Sequence, residues 1–143
     1  MSYIKIPVAV HLILFNKNKI LLSRRYNTGF QDGKYSLVAG HIEGNERIKQ
    51  AMIREAMEEA NIILDNEKLE IVQVMHRKNE TEERIDYFLV AEQWDGALKN
   101  NEPYKCDDLR WFYLEQLPEN MVEYVRYALT CYLKKINYTE FGW

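Results

Sequence analysis

The chain holds few of the residues that staple, stiffen or break a fold: two cysteines, three prolines, six glycines and three histidines in 143 residues. Cys106 and Cys131 stand far apart, with no CxxC spacing and no histidine pair nearby, which argues against a zinc or disulfide framework. They read as reduced thiols. No apolar run is long enough to span a bilayer. The opening "MSYIKIPVAVHLILF" has neither the basic start nor the small-residue cleavage site of a secretory signal. A cytoplasmic location with no membrane partner is therefore expected. Excess positive charge is also missing. A net charge of −3 argues against stable nucleic-acid binding, although it leaves room for a local basic pocket. Without repeats, low-complexity tracts or Pro/Gly-rich linkers, residues 1–143 are expected to form one domain, as a monomer or homodimer.

What is present is apolar patterning. "IPVAVHLILF" (6–15) and "KILLSRR" (19–25) flank the turn-like "NKNK" and predict a β-hairpin. A loop follows over 26–35, with Gly29 and Asp32-Gly33 as turn signals, and then the short strand "YSLVAG". A helix is predicted from an Asn45 N-cap to Asn61, because Asn tolerates the left-handed conformation that closes helices. Paired strands over 69–77 and 84–94, a polar loop over 96–108, a strand at 109–114 and a helix over about 119–135 complete the reading. The tail "NYTEFGW" stays unassigned. The order βββαβββα favours a compact α/β or α+β sandwich.

Within the first helix, "REAMEEAN" (54–61) crowds Glu55, Glu58 and Glu59 together. At 100° per residue, with Glu55 at zero, Glu59 falls near about +40° and Glu58 near about −60°. Ile48, Ala51 and Met52 share that sector, so the acids continue an apolar stripe instead of opposing it. Carboxylates turned inward raise one another's pKa and need compensating cations. Arg54 is one source, and a hard divalent ion with oxygen ligands is another. The wheel alone does not separate this from a solvated charge run.

The longer segment "GHIEGNERIKQAMIREAMEEANI" (40–62) resembles the Nudix box, G-x5-E-x7-R-E-U-x-E-E-x-G-U, where U is aliphatic. Gly40, Glu46, Arg54, Glu55, Ala56, Glu58, Glu59 and Ile62 match in register. Asn61 replaces the usual glycine, and "EGNE" sets Gly44 one residue farther from Glu46 than many members do. The resemblance implies an α/β/α sandwich around a mixed sheet. It also implies Mg²⁺- or Mn²⁺-dependent hydrolysis of a nucleoside diphosphate linked to another group. Glu55, Glu58, Glu59 and the Ala39 carbonyl would face the metal, while Arg54 and Glu46 would orient the cluster. Glu58 is the first choice as proton acceptor.

Outside the box, "NNEPYKCDDLRWF" resembles a segment of MutT-type nucleoside triphosphate pyrophosphohydrolases. That likeness would make Glu102 a further metal-side carboxylate, against the alternative of a solvated loop acid. Phe30, Tyr35, Tyr87 and Trp111 are candidates to stack on a base, although such residues are more often core. Arg24 and Arg25 close a strand and are candidates to meet phosphates, against the alternative that they mark its solvent end. His11 and His41 have no partner spacing, and His76-Arg77 ends a strand that could reach the cleft, although a lone histidine is usually structural. The leading expectation is a nucleoside triphosphate pyrophosphohydrolase. The alternatives are a hydrolase of ADP-ribose, a dinucleoside polyphosphate or a nucleotide sugar, and a non-catalytic nucleotide-binding regulator. Against the last stands the intact carboxylate cluster.

Overall fold

In a computed structural model, which describes residues 2–143, the first apolar run forms a central strand, β1 (Val8–Asn16). It reads as nearly continuous apolar sequence because both of its faces are covered. Val10, Leu12 and Leu14 point into one core, and Ile13 into the other. The remaining elements are β2 (Lys19–Arg25), β3 (Tyr35–Ser36), β4 (Val38–His41), α1 (Ile48–Ala60), β5 (Leu69–Lys78), β6 (Glu83–Ala91), β7 (Cys106–Tyr113), α2 (Glu123–Leu133) and β8 (Tyr138–Phe141).

The eight strands run in the order β3-β2-β1-β6-β5-β8, with β4 attached to β1 and β7 to β2. The sheet is mixed: β1 with β6 and β5 with β8 are parallel, and the other pairings are antiparallel. One helix covers each side. Ala51, Met52, Ala56 and Ala60 of α1 pack on one face, and Val125, Ala128 and Leu129 of α2 on the other. This is the expected α/β/α sandwich. Both cysteines are buried and free. Among the described residues, no helix is long and apolar enough to cross a membrane.

The predicted hairpin exists but is short. β1 meets β2 only at Phe15–Ile20 and Asn16–Lys19, while residues 9–12 of β1 pair with β4 instead. Between these two partners the sheet splits, and a cleft opens in the fork. The strand read as "YSLVAG" accordingly breaks at Leu37, with β3 joining β2 and β4 joining β1. The tail is a strand as well, pairing Tyr138–Phe141 with Val74–Arg77. Asn45 does not cap α1. It takes a left-handed φ of 67° in the preceding turn, and Arg47 is the capping residue, its N–H donating to Gln50 Oε1 at 2.9 Å.

One polar group lies deep in the α2 side of the sheet. Asp86 accepts from His11 Nε2 at 3.0 Å and from Arg77 Nε at 2.7 Å, and Arg77 lies over the Tyr124 ring. Burial by itself would raise the Asp86 carboxyl, but the bonds from His11 and Arg77 outweigh it and hold the group well below the usual carboxylate range. The ionised form is therefore favoured in the folded state. Its stabilisation is fully present above the ordinary aspartate pKa and is lost as pH falls below about 4. Asp86→Asn is expected to cost about 3–5 kcal/mol at neutral pH, by stranding buried Arg77. It should also flatten the fall of melting temperature in acid. Calorimetry across pH checks both effects.

Candidate active site

The α1 backbone sets the carboxylates. Glu55 and Glu59 lie one turn apart and turn toward β4, where the carboxyl of Glu55 lies against Gly40. A Cβ at position 40 would collide with that carboxyl where it lies, so glycine lets the acid approach the strand and a larger residue would displace the Glu55 side chain. Ala39 N–H donates to Glu59 Oε2 at 3.2 Å, fixing the second acid against the same strand. Glu58 departs from the expectation of an inward trio. Its side chain is 54% exposed at the cleft rim, against 14% for Glu55. The wheel had placed it at the edge of the sector, and the edge proves to be the rim.

Arg54 organises the cluster. It donates twice to Glu46, at 2.7 and 3.0 Å, once to Glu55 at 2.7 Å, once to Glu58 at 3.3 Å and once to the His41 carbonyl at 3.2 Å. Hydrogen bonds from Arg54, and then from the Glu43 backbone, hold the Glu46 carboxyl down to about 2. The guanidinium is correspondingly raised, chiefly by Glu46. The two inner acids shift the opposite way. Burial, then Glu55 and Glu102, push Glu59 well above the usual carboxylate range. Burial raises Glu55 too, against the pull of Arg54.

Glu102 is brought in by the loop that closes α1. The last carbonyls of a helix lack partners within it. Here Lys99 N–H serves Ala60 O at 3.0 Å, Asn101 N–H serves Glu59 O at 3.1 Å and the Asn101 amide serves Met57 O at 3.2 Å. Asn61, left-handed at φ 60°, adds a bond from its side chain to the Ala97 carbonyl at 2.8 Å, which a glycine there would lack. The loop is thereby stitched to the helix end, and Glu102 joins the cleft wall near Glu55 and Glu59.

The cleft has a volume of about 740 Å³. It gathers Ala39, Glu55, Glu58, Glu59, Arg54, Glu102 and Phe30 among the expected residues. Glu46 stands behind Arg54. Two expected substrate contacts lie elsewhere. Arg24 points away and pairs with Asp107 at 2.7 Å, and its neighbour Arg25 lines the cleft in its place. Trp111 packs on the α1 side, stacked on Trp94 with ring centroids 5.8 Å apart. Tyr35 is core, its hydroxyl bonded to Asp108, and Tyr87 packs against the α1-side cluster. Strand alternation explains Arg24, since neighbouring residues face opposite sides, whereas Trp111 shares its face with cleft-lining Leu109 and lies farther along β7. Missed from sequence were Lys105, His11, Arg84, Asp86 and Tyr124, all of which line the cleft.

Buried, mutually repelling carboxylates with oxygen-only donors suit a hard divalent cation. Among the described residues, no three acidic, imidazole or thiolate side chains close a complete cage. Mg²⁺ seldom needs one, since it keeps waters and substrate phosphates in its shell. The donor set fits a partial cage of that kind, built from Glu55 and Glu59 with Glu102 beside them.

Comparison with known proteins agrees with this arrangement. A sequence profile of the NUDIX domain matches residues 5–131, and the chain belongs to that family, as a Nudix hydrolase. It is 30% identical over 117 residues to the ADP-ribose pyrophosphatase of Methanocaldococcus jannaschii, covering 82% of this chain and 68% of that one. The fold is similar to a MutT NUDIX hydrolase from Burkholderia pseudomallei, with TM-score 0.81, 24% identity, and coverage of 88% and 97% of the two chains. It is also similar to a bifunctional NMN adenylyltransferase/ADP ribose pyrophosphatase from Francisella tularensis, solved with AMP and a manganese ion. There the TM-score is 0.70 at 22% identity, covering 96% of this chain and 44% of that one.

Proposed function

We propose that this hydrolase cleaves the diphosphate linkage of a nucleoside triphosphate, releasing monophosphate and pyrophosphate, with Mg²⁺ or Mn²⁺ as cofactor. The observation that carries the reading is the inward pair Glu55 and Glu59, joined by Glu102 from the Asn-x-Glu-Pro loop. In this reading Glu55, Glu59 and the Ala39 carbonyl hold the ion. Once bound, it offsets the diphosphate charge and polarises phosphorus.

The chain supplies the remaining roles. Arg54, tied to Glu46, keeps the Glu55 carboxylate in place, and Arg25 and Lys105 offer positive charge to the phosphates along the cleft. Glu58, exposed at the rim and free on one oxygen, takes a proton from the attacking water. The water oxygen bonds to phosphorus as the bridging P–O bond breaks, and the electron pair leaves on the departing phosphate. Phe30, beside Arg25 at the mouth, offers a face to the base.

ADP-ribose is the second reading, favoured by the Methanocaldococcus jannaschii relative. A panel of nucleoside triphosphates, ADP-ribose, dinucleoside polyphosphates and nucleotide sugars, assayed with Mg²⁺ and Mn²⁺ and resolved by chromatography, separates the two. The leading reading predicts pyrophosphate as co-product and the highest kcat/KM for a triphosphate. Highest kcat/KM for ADP-ribose, yielding AMP and ribose 5-phosphate, would replace it with the second.

A further inference from the structure

Glu102 reaches the cleft on a short turn, and one side chain closes that turn at both ends. Asn100 Oδ1 accepts from Glu102 N–H at 3.0 Å, while Asn100 Nδ2 donates to the Cys106 carbonyl at 2.7 Å. The first partner can only donate and the second can only accept, so the amide has a single orientation that serves both. Inside the turn, Lys105 N–H and Cys106 N–H both donate to the Glu102 carbonyl, each at 2.9 Å. Asn100 is half-buried beneath the exposed Pro103, Tyr104 and Lys105.

Neighbouring bonds anchor the turn to the body of the fold. Asn101 N–H donates to the carbonyl of Glu59 at 3.1 Å, and Tyr26 N–H donates to the Lys105 carbonyl at 2.9 Å, beside the end of β2. These bonds hold the residues on either side of Glu102 and Pro103. The carboxylate of Glu102 has little to hold it directly: Tyr104 Oη stands 3.4 Å from Oε2, long for a hydroxyl donor. Its placement therefore depends on its own main chain, which Asn100 grips at the N–H. Repulsion decides what a loosened turn would do. Glu102 acts on both Glu55 and Glu59 as a like charge. A turn free to move would relieve that repulsion by carrying Glu102 outward, away from the pair.

We propose that Asn100 is a positioning residue, which holds Glu102 against the Glu55–Glu59 pair so that all three carboxylates serve one divalent-ion site. The proposal rests on the reading of Glu102 as a metal-side carboxylate. Asn100 itself touches neither the ion nor the substrate. Groups that orient a metal-side donor commonly change metal affinity by ten- to a hundredfold when removed. Because Asn100 acts through Glu102, its removal should matter only while Glu102 carries its charge.

The test measures Mn²⁺ alone binding to the full-length protein by electron paramagnetic resonance. It compares wild type, Asn100→Ala, Glu102→Gln and the double variant, each checked for a cooperative thermal melt. Each single substitution should weaken Mn²⁺ by roughly tenfold, and the double variant should bind no more weakly than Glu102→Gln. Asn100→Ser keeps an acceptor for the Glu102 N–H and carries the same comparison at smaller amplitude if the alanine variant does not fold. Losses that multiply in the double variant would assign Asn100 a general structural role and overturn the proposal. Unchanged Mn²⁺ binding in Asn100→Ala, with Glu102→Gln weakened, would overturn it and leave Glu102 at the metal. Unchanged binding in Glu102→Gln would remove Glu102 from the metal, and the proposal with it, while the Glu55–Glu59 reading stands. A wild type that binds no Mn²⁺ would defeat the metal reading and the proposal together.

Discussion

Glu59→Gln is expected to lose about a thousandfold in metal-dependent turnover, yet to melt at a higher temperature than the wild type in metal-free buffer. Two opposing effects of one carboxylate produce this result. Burial, together with Glu55 and Glu102, raises the Glu59 carboxyl well above the usual range, so its ionised form weakens the metal-free fold. An acid raised on folding binds more protons in the native state than in the unfolded chain. Metal-free stability therefore falls as pH rises from the ordinary glutamate value toward the raised one. Glutamine keeps the shape and can still accept from Ala39 N–H, but it carries no charge, so the variant's profile should fall less steeply across that window, with Glu55 supplying what slope is left. Divalent ion reverses the balance by binding only the folded form. Saturating Mn²⁺ should then raise the melting temperature of the wild type and leave the variant nearly unmoved. A variant that loses activity and also melts lower without metal would assign Glu59 a structural role instead.

Arg54→Ala should cost roughly a hundredfold in kcat and weaken Mn²⁺ binding, with Arg54→Lys recovering little of either. The guanidinium forks onto Glu46 while reaching Glu55, Glu58 and the His41 carbonyl, a geometry that a single ammonium cannot reproduce. Without it Glu55 loses its restraint, and three acids face one another uncompensated. The pairing also leaves a mark in acid. Hydrogen bonds from Arg54 and the Glu43 backbone depress Glu46 to about 2. Its stabilisation is present above the ordinary carboxylate range and disappears as pH falls toward that value. The Ala variant should lack most of this acid slope. Titration of Mn²⁺ by electron paramagnetic resonance, together with acid unfolding curves, measures both consequences.

The box helix was legible because its information is local. Arg54, Glu55, Glu58 and Glu59 sit within one and a half turns, and an asparagine that accepts a left-handed backbone marks the helix end at Asn61. The start was not, because Asn45 has the chemistry of a cap but spends it in a turn, leaving Arg47 to begin the helix. The division of "YSLVAG" at Leu37 and the strand in "NYTEFGW" depend on partners 11 or more residues away. Parallel pairing of β8 with β5 has no hairpin to announce it. The polar floor of the cleft was hidden for the same reason. His11 and Asp86 are 75 positions apart and meet only because β1 and β6 lie side by side in one register. The usable signal was a polar residue inside an apolar strand, His11 in "VAVHLIL" and Asp86 in "RIDYFLV". Arg24 shows the converse, a correct strand with its side chain on the face away from the cleft, while Trp111 shares the face of cleft-lining Leu109 but is stacked on Trp94.

The central claim is that Glu55 and Glu59 jointly hold a divalent ion at the fork of the sheet. Anomalous diffraction from crystals soaked in Mn²⁺ with a non-hydrolysable nucleotide analogue tests it most directly. The expected result is an anomalous peak within about 2.0–2.6 Å of carboxylate oxygens from both residues, with phosphate oxygens completing the shell. Bound nucleotide with no peak at that position, or a manganese ion coordinated away from both glutamates, would contradict the account.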